Sequence, residues 1–243
     1  LMKEQIYTIP VNEGFEEGGE CPFCNMYHKL EKDAIDYMLG ASYMEDDIRM
    51  ETNKVGFCGN HYDMMYKEQN RLGVALMLHT HIQKINSDLE KLCADLKSGE
   101  KKGLFSKSSK GENKVTPYLN NIAESCYICN RIKTNFDRYF DTFFYMWKTD
   151  NEMKEKVKNT KGFCLDHFSM LIDTASKKLS GKDYGEFIDI VVPVQLENMK
   201  RLEKEVDHFT NKFDHNYKDV PWGTAKDALP RAILKVASQI VED

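Results

Sequence analysis

Two matched stretches decide how this chain reads. One is Cys21-Pro22-Phe23-Cys24, followed by Gly56-Phe57-Cys58-Gly59-Asn60-His61. The other is Cys126-Tyr127-Ile128-Cys129, followed by Gly162-Phe163-Cys164-Leu165-Asp166-His167. Each set is a C-x-x-C, a gap, then a G-F-C-x-x-H. The two gaps differ by one residue, and the pattern uses six of the seven cysteines. Three thiolates and an imidazole in two i, i+3 pairs suit a tetrahedral metal ion. On a helical turn, i and i+3 share a face. A pair at a helix N-terminus also meets free backbone N–H groups, which favour the thiolate. Gly56 and Gly162 are expected to supply tight turns before the aromatic residue. The simplest expectation is that each copy completes its own site. Cys21, Cys24, Cys58 and His61 would form one, and Cys126, Cys129, Cys164 and His167 the other.

Zinc fits such a donor set and needs no open position with four protein ligands. An iron–sulfur cluster is the alternative, although such clusters are usually held by four cysteines. A thiol-redox C-x-x-C lacks its usual β-α-β surroundings. A Cys–His nucleophile would need one thiol singled out from three. Covalent haem attachment would need His directly after C-x-x-C, where Asn25 and Asn130 stand.

The similarity spreads outward from the ligands. Cys21 and Cys126 are 105 residues apart, and the G-F-C motifs are offset by 106. Tyr27, Ala34, Ile35, Met38 and Leu39 correspond to Ile132, Tyr139, Phe140, Phe143 and Phe144, at spacings that repeat with the turn of a helix. After each G-F-C-x-x-H a longer helical run follows. Its expected apolar face in copy one is Leu72, Ala75, Leu76, His79, Ile82, Ile85, Leu89, Leu92 and Leu96, with a break near Gly73. In copy two it is Phe187, Ile190, Val191, Val194, Leu202, Val206, Phe209 and Phe213, with a kink or end at Pro193. The only extended candidate is Ile6-Tyr7-Thr8-Ile9-Pro10-Val11, which the proline would make an edge or lead-in. The chain therefore reads as all-α: two pseudo-repeat helical subdomains, each with a Cys3His site, plus a C-terminal helical unit.

Four segments follow from this: a first repeat with its lead-in at 1–96, a Lys/Gly/Ser-rich flexible linker at 97–115, a second repeat at 116–215 and a C-terminal unit at 216–243. In the last, Thr224 is expected to cap a helix and Pro230 to start a second, with Ile233, Val236, Ala237 and Ile240 at helical spacing. Cys93 reads as a small core residue and His79 as a hydrogen-bonded core histidine. His28, on the helical face of Cys24, reads as a surface residue rather than a fifth ligand. The stripe Phe136, Tyr139, Phe140, Phe143, Phe144 and Trp147 reads as core, with an apolar ligand pocket as the sharper option.

Composition narrows the role. The 243 residues carry 41% hydrophobic and 30% charged side chains and a net charge of -5. That balance speaks against a large nucleic-acid footprint. No apolar run is long enough to span a membrane and no signal-peptide h-region opens the chain, so a cytoplasmic protein is expected. Neither a phosphate-binding glycine loop nor a Ser-His-Asp pattern is present.

The lead-in Tyr7-Thr8-Ile9-Pro10-Val11-Asn12-Glu13, the paired metal motifs, and Pro221-Trp222-Gly223 with Ala225, Asp227, Arg231 and Ala232 resemble an uncharacterised bacterial family of unknown function, mostly from anaerobic Firmicutes. Members are sometimes labelled ABC transporter substrate-binding proteins. The resemblance covers nearly the whole chain and implies no activity. The functional expectation is thus a binding or scaffold module with two structural zinc ions and an unknown protein or small-molecule partner, more in keeping with a non-enzyme than an enzyme. The alternatives are an iron–sulfur or metal- and redox-sensing protein, and a small-molecule binder with a pocket between its halves.

Overall fold

The computed structural model describes residues 2–98 and 113–241, and they form an all-α protein. Helices α1 (Met2–Glu16), α2 (Pro22–Leu39), α3 (Asp46–Val55), α4 (Gly59–Lys67) and α5 (Arg71–Ser98) precede the undescribed segment. Helices α6 (Val115–Glu124), α7 (Tyr127–Thr149), α8 (Asn151–Lys158), α9 (Leu165–Lys178) and α10 (Gly181–Asn211) follow it in the same order, and α11 (Ala228–Ala237) ends the chain. Most of the expected linker lies outside the described residues. Among the described residues, no helix is long and apolar enough to cross a membrane.

The chain forms two compact units, which cut across the expected repeat boundaries. One comprises Leu1–Lys29 with Asn135–Asp243, and the other Leu30–Thr134. The divisions fall inside α2 and inside α7. The first unit is built on the aromatic stripe of α7. Phe136, Phe140, Phe143, Phe144 and Trp147 are all buried. Phe23 stacks on Phe140 at 4.4 Å between centroids, Phe15 stacks on Phe143 at 5.7 Å, and Trp147 meets Phe187 edge-on at 5.0 Å. These rings fill one another's space, so the stripe is packed core. In the second unit α3 packs along α5, and α4 and α6 pack on α5 as well. Ala34, Ile35, Met38, Ile48, Met65, Val74 and Met77 are buried there.

Several expectations need correction. The segment Ile6–Val11 is part of a helix, not an extended lead-in. Tyr7, Thr8, Val11, Gly14 and Phe15 face inward at helical spacing while Ile6 and Ile9 face solvent. The β-branched run concealed that period, and the helix carries Pro10 at the loss of one backbone hydrogen bond. On α5 the buried face is Gly73, Val74, Met77 and His81; Leu72, Ala75, His79 and Ile82 are exposed. The phase is set by Gly73, where a side chain would meet the Tyr43 ring at 3.1 Å, so α3 and the turn before it lie against this side. His81, not His79, is therefore the core histidine. Cys93 is exposed. Helix α10 runs through Pro193, which faces solvent, and stops before Phe213. Thr224 lies in a 3-10 turn, and α11 starts at Ala228, with Pro230 in its first turn.

Removing the fully buried ring in Phe143→Ala should cost about 3–5 kcal/mol of unfolding free energy. Phe213→Ala, at a side chain 79% exposed, should change it by less than about 0.5 kcal/mol. Urea unfolding followed by tryptophan fluorescence reads both.

Candidate metal centres

The eight ligand candidates come together in two groups of four, but across the repeats rather than within them. Site A joins Cys21 and Cys24 to Cys164 and His167; site B joins Cys58 and His61 to Cys126 and Cys129. In each group the ligand atoms all lie within 4.8 Å of one another. The C-x-x-C of each copy thus meets the G-F-C-x-x-H of the other, and the expected within-copy pairing is wrong. The i, i+3 geometry is identical in either pairing, so the local spacing carries no information about it.

Each site is built from two helix starts. Cys164 is the N-cap of α9, and its sulfur accepts from the His167 N–H at 3.4 Å. The Cys126 sulfur, just before α7, accepts from the Cys129 N–H at 3.4 Å. Cys58 is the N-cap of α4, and Cys21 precedes α2, whose first residue Pro22 has no N–H to leave unsatisfied. At Cys164 and Cys126 the sulfur plays the part of a capping oxygen, at the positive end of the helix dipole. Gly56 at φ 62° and Gly162 at φ 78° turn the chain into Cys58 and Cys164. Both turns are closely backed. A Cβ on Gly56 would lie 2.4 Å from His81 Nε2, and one on Gly162 would lie 2.8 Å from Gln195 Oε1. Gln195 accepts from Phe163 N at 2.8 Å and donates to Phe163 O at 3.0 Å. His81 Nδ1 is 2.8 Å from Asn53 O, to which it donates.

In both sites Nδ1 of the histidine faces the sulfurs. In site A the distances to Cys21, Cys24 and Cys164 are 3.4, 3.4 and 3.0 Å. In site B those to Cys58, Cys126 and Cys129 are 3.2, 3.2 and 3.4 Å, and Cys58 and Cys129 are 3.8 Å apart. A tetrahedral ion with Zn–S bonds of about 2.3 Å and a Zn–N bond of about 2.0 Å sets its sulfurs about 3.8 Å apart and about 3.5 Å from the nitrogen. The two groups match that spacing closely.

The surroundings differ. In site B the outer nitrogen of His61 is 3.1 Å from the Glu31 carboxylate, a carboxylate–histidine arrangement that fixes the ring. Phe136 occupies the position on α7 that Glu31 occupies on α2, and it packs on the His167 ring at 5.2 Å. In site B the residues before the two motifs are tied directly, Ser125 Oγ donating to Val55 O at 2.6 Å. In site A the tie is Lys235 of α11, which is buried. Its ammonium donates to Glu20 O at 2.6 Å and to Lys161 O, 3.4 Å from the Glu20 carboxylate. Glu20 is also bound by Arg201 at 2.6 Å and Arg231 at 3.1 Å. Beyond α11, Ser238 donates to Cys164 Sγ at 3.1 Å and to Asp166 at 2.8 Å. Lys235, Ser238, Glu20, Glu31, Gln195 and His81 all escaped the sequence motifs. Only Lys235 left a trace, as a lysine in register with the buried Ala228 on an amphipathic helix.

Protons are shared tightly within each group. Burial opposes charge on His61, but hydrogen bonds with Cys126 and Glu31 lift it to about 10. His167 rises to about 9, against burial, through Cys164 and Cys21. Burial raises Cys126, yet His61 and backbone N–H groups bring it down to about 6. Hydrogen bonds from Cys21 and Cys24 hold Cys164 well below the usual thiol range. Cys24 is pushed up by its hydrogen bonds with Cys164 and Cys21, and Cys129 by burial and then by Cys126. With no ion bound, each group is thus a thiolate–imidazolium pair with at least one protonated thiol. Four donors able to shed those protons around one point are suited to holding a cation.

Metal content distinguishes the two pairings. The double variant C21S/C164S strikes one site under the crossed pairing and should retain about one equivalent of metal, whereas C21S/C58S strikes both and should retain almost none. Within-copy pairing reverses the two results; elemental analysis of the purified variants decides.

Comparison with curated proteins and with solved structures gives no match. The model of a family of unknown function, DUF6062, matches residues 2–243, and the chain belongs to that family.

Proposed function

We propose that this is a cytoplasmic helical binding or scaffold protein, an internal duplication held together by two structural zinc ions. The single observation that carries the metal assignment is the convergence of Cys21, Cys24, Cys164, His167 and of Cys58, His61, Cys126, Cys129, each within 4.8 Å. Four protein donors fill a tetrahedral shell and leave no open position for a substrate, which is the pattern of a structural ion. Zinc is favoured over an iron–sulfur cluster by spacing. In a multi-iron cluster the ligands bind different irons and stand farther apart than these do. The pocket alternative loses the aromatic stripe that motivated it.

The purified protein should be colourless and contain about two zinc ions per chain. Visible absorption with iron in place of zinc would overturn the zinc assignment.

The proton arrangement gives a second expectation. An ion-free site holds a proton on its histidine and one on Cys24 or Cys129 at neutral pH. The loaded site holds neither, because zinc binds thiolate and neutral imidazole. The ion-free form therefore carries more protons, and lowering the pH favours it. Zinc binding near pH 7 should release at least about two protons per site, and affinity should fall by at least about a hundredfold per unit of pH decrease. Calorimetry in buffers of differing ionisation enthalpy measures the proton count.

A further inference from the structure

The two sites are unequally protected. In site A all four ligands are buried, while in site B Cys58 and Cys129 are partly open to solvent. The sulfurs also differ in what they meet. In site A the Ser238 hydroxyl donates to Cys164 and the Lys235 ammonium lies against the turn before Cys21. A hydroxyl donor on the sulfur draws electron density from a metal-bound thiolate and, with a cation nearby, blunts its attack on an electrophile. In site B the charge placed against the ligands is negative, the Glu31 carboxylate on His61. The Cys58 and Cys129 sulfurs contact His61 and, at 3.8 Å, each other.

Building on the metal reading above, we propose that site B is a reversible oxidation site, at which a hydroperoxide converts Cys58 and Cys129 to a disulfide and releases the ion, while site A keeps its own. One thiolate attacks a peroxide oxygen. The O–O bond breaks, a sulfenic acid forms, and the leaving hydroxide takes a proton to become water (or an alcohol from an organic peroxide). The second thiolate then attacks the sulfenic sulfur. The S–S bond forms, the S–O bond breaks, and hydroxide again leaves as water. Two electrons pass from the two sulfurs to the peroxide, two protons come from solvent, and the ion loses two of its four ligands. A disulfide of about 2.05 Å requires the sulfurs to approach by well over an ångström, which the ion prevents while it is bound. The pair bridges α4 and α7, so it exchanges one tie between the two helix starts for another. A thiol reductant reverses the change.

The test uses the full-length zinc-loaded protein. Hydrogen peroxide is added, released zinc is followed with a colorimetric chelator, and disulfides are mapped by mass spectrometry of alkylated peptides. The expected result is loss of one zinc per chain at least tenfold faster than the second, with a Cys58–Cys129 disulfide in the fast phase. Exposed Cys93 serves as an internal marker of unspecific oxidation. Release of both ions at one rate, release of neither at peroxide levels that oxidise Cys93, or a Cys126–Cys129 disulfide would overturn the proposal. The C21S/C164S variant, carrying site B alone, should release its zinc at the wild-type fast rate; the wild-type disulfide map decides even if that variant does not fold. Protein that contains no metal before peroxide is added would instead refute the metal reading.

Discussion

Everything in this chain turns on bringing helix starts together that lie far apart in sequence. Cys24 and His167 are 143 residues apart, and Cys58 and Cys129 are 71 apart. Closing loops of that length costs about 4 kcal/mol each, beyond a constant term, because the cost grows only with the logarithm of length. A structural zinc ion supplies on the order of 10 kcal/mol. The closure is therefore well within what one ion per site can offset. The distance in sequence is no obstacle, whereas a misdirected turn would be. That is why Gly56 and Gly162 are held in left-handed backbone and backed so tightly by His81 and Gln195.

The same constraint accounts for the polar groups buried around the sites. A buried ammonium is expensive unless its hydrogen bonds are satisfied. Lys235 is satisfied by the carbonyls of Glu20 and Lys161, the residues just ahead of the two site A motifs. Burial pulls its pKa down while Glu20 and Cys21 pull it back. Site B secures the corresponding pair of turns with the Ser125 hydroxyl on Val55 O and the Tyr127 N–H on Gly56 O. Site A is thus closed by α11, which lies outside the repeated pattern, and site B depends on groups next to its own ligands.

How much of this the sequence disclosed depends on the range of the interaction. The eight cysteines and histidines that gather in the two groups, the helical class and the inward faces of α2 and α7 are legible because each rests on i, i+3 and i, i+4 spacing. The face of α5 is hidden in the sequence because Leu72, Ile82 and Leu96 continue an apolar stripe that packing leaves in solvent, while Gly73 fixes the true phase by close approach to Tyr43. The helix of the lead-in is hidden because Ile6, Thr8, Ile9 and Val11 look like a strand one residue at a time. Their burial follows a helix only once Gly14 and Phe15 are counted. Lys235, Ser238 and Glu31 act across gaps of dozens to hundreds of residues, and no periodicity reports such contacts.

The pairing of the motifs was illegible for a deeper reason. Both copies present the same two half-sites, so either half of one can complete either half of the other without changing a single local spacing. What separates the alternatives is which helix starts the packed helices bring together, and that is a property of the whole fold. Here each C-x-x-C is completed by the other copy. A chain with only one copy of the motifs, arranged in this way, would carry two half-sites that never meet and would need a second molecule to finish either. The two groups share their donor types and helix starts, but their surroundings differ. Glu31 against His61 and Phe136 against His167 occupy matching helical positions and give the two histidines opposite environments. One group is thus fully buried and the other partly exposed, although each consists of three cysteines and one histidine.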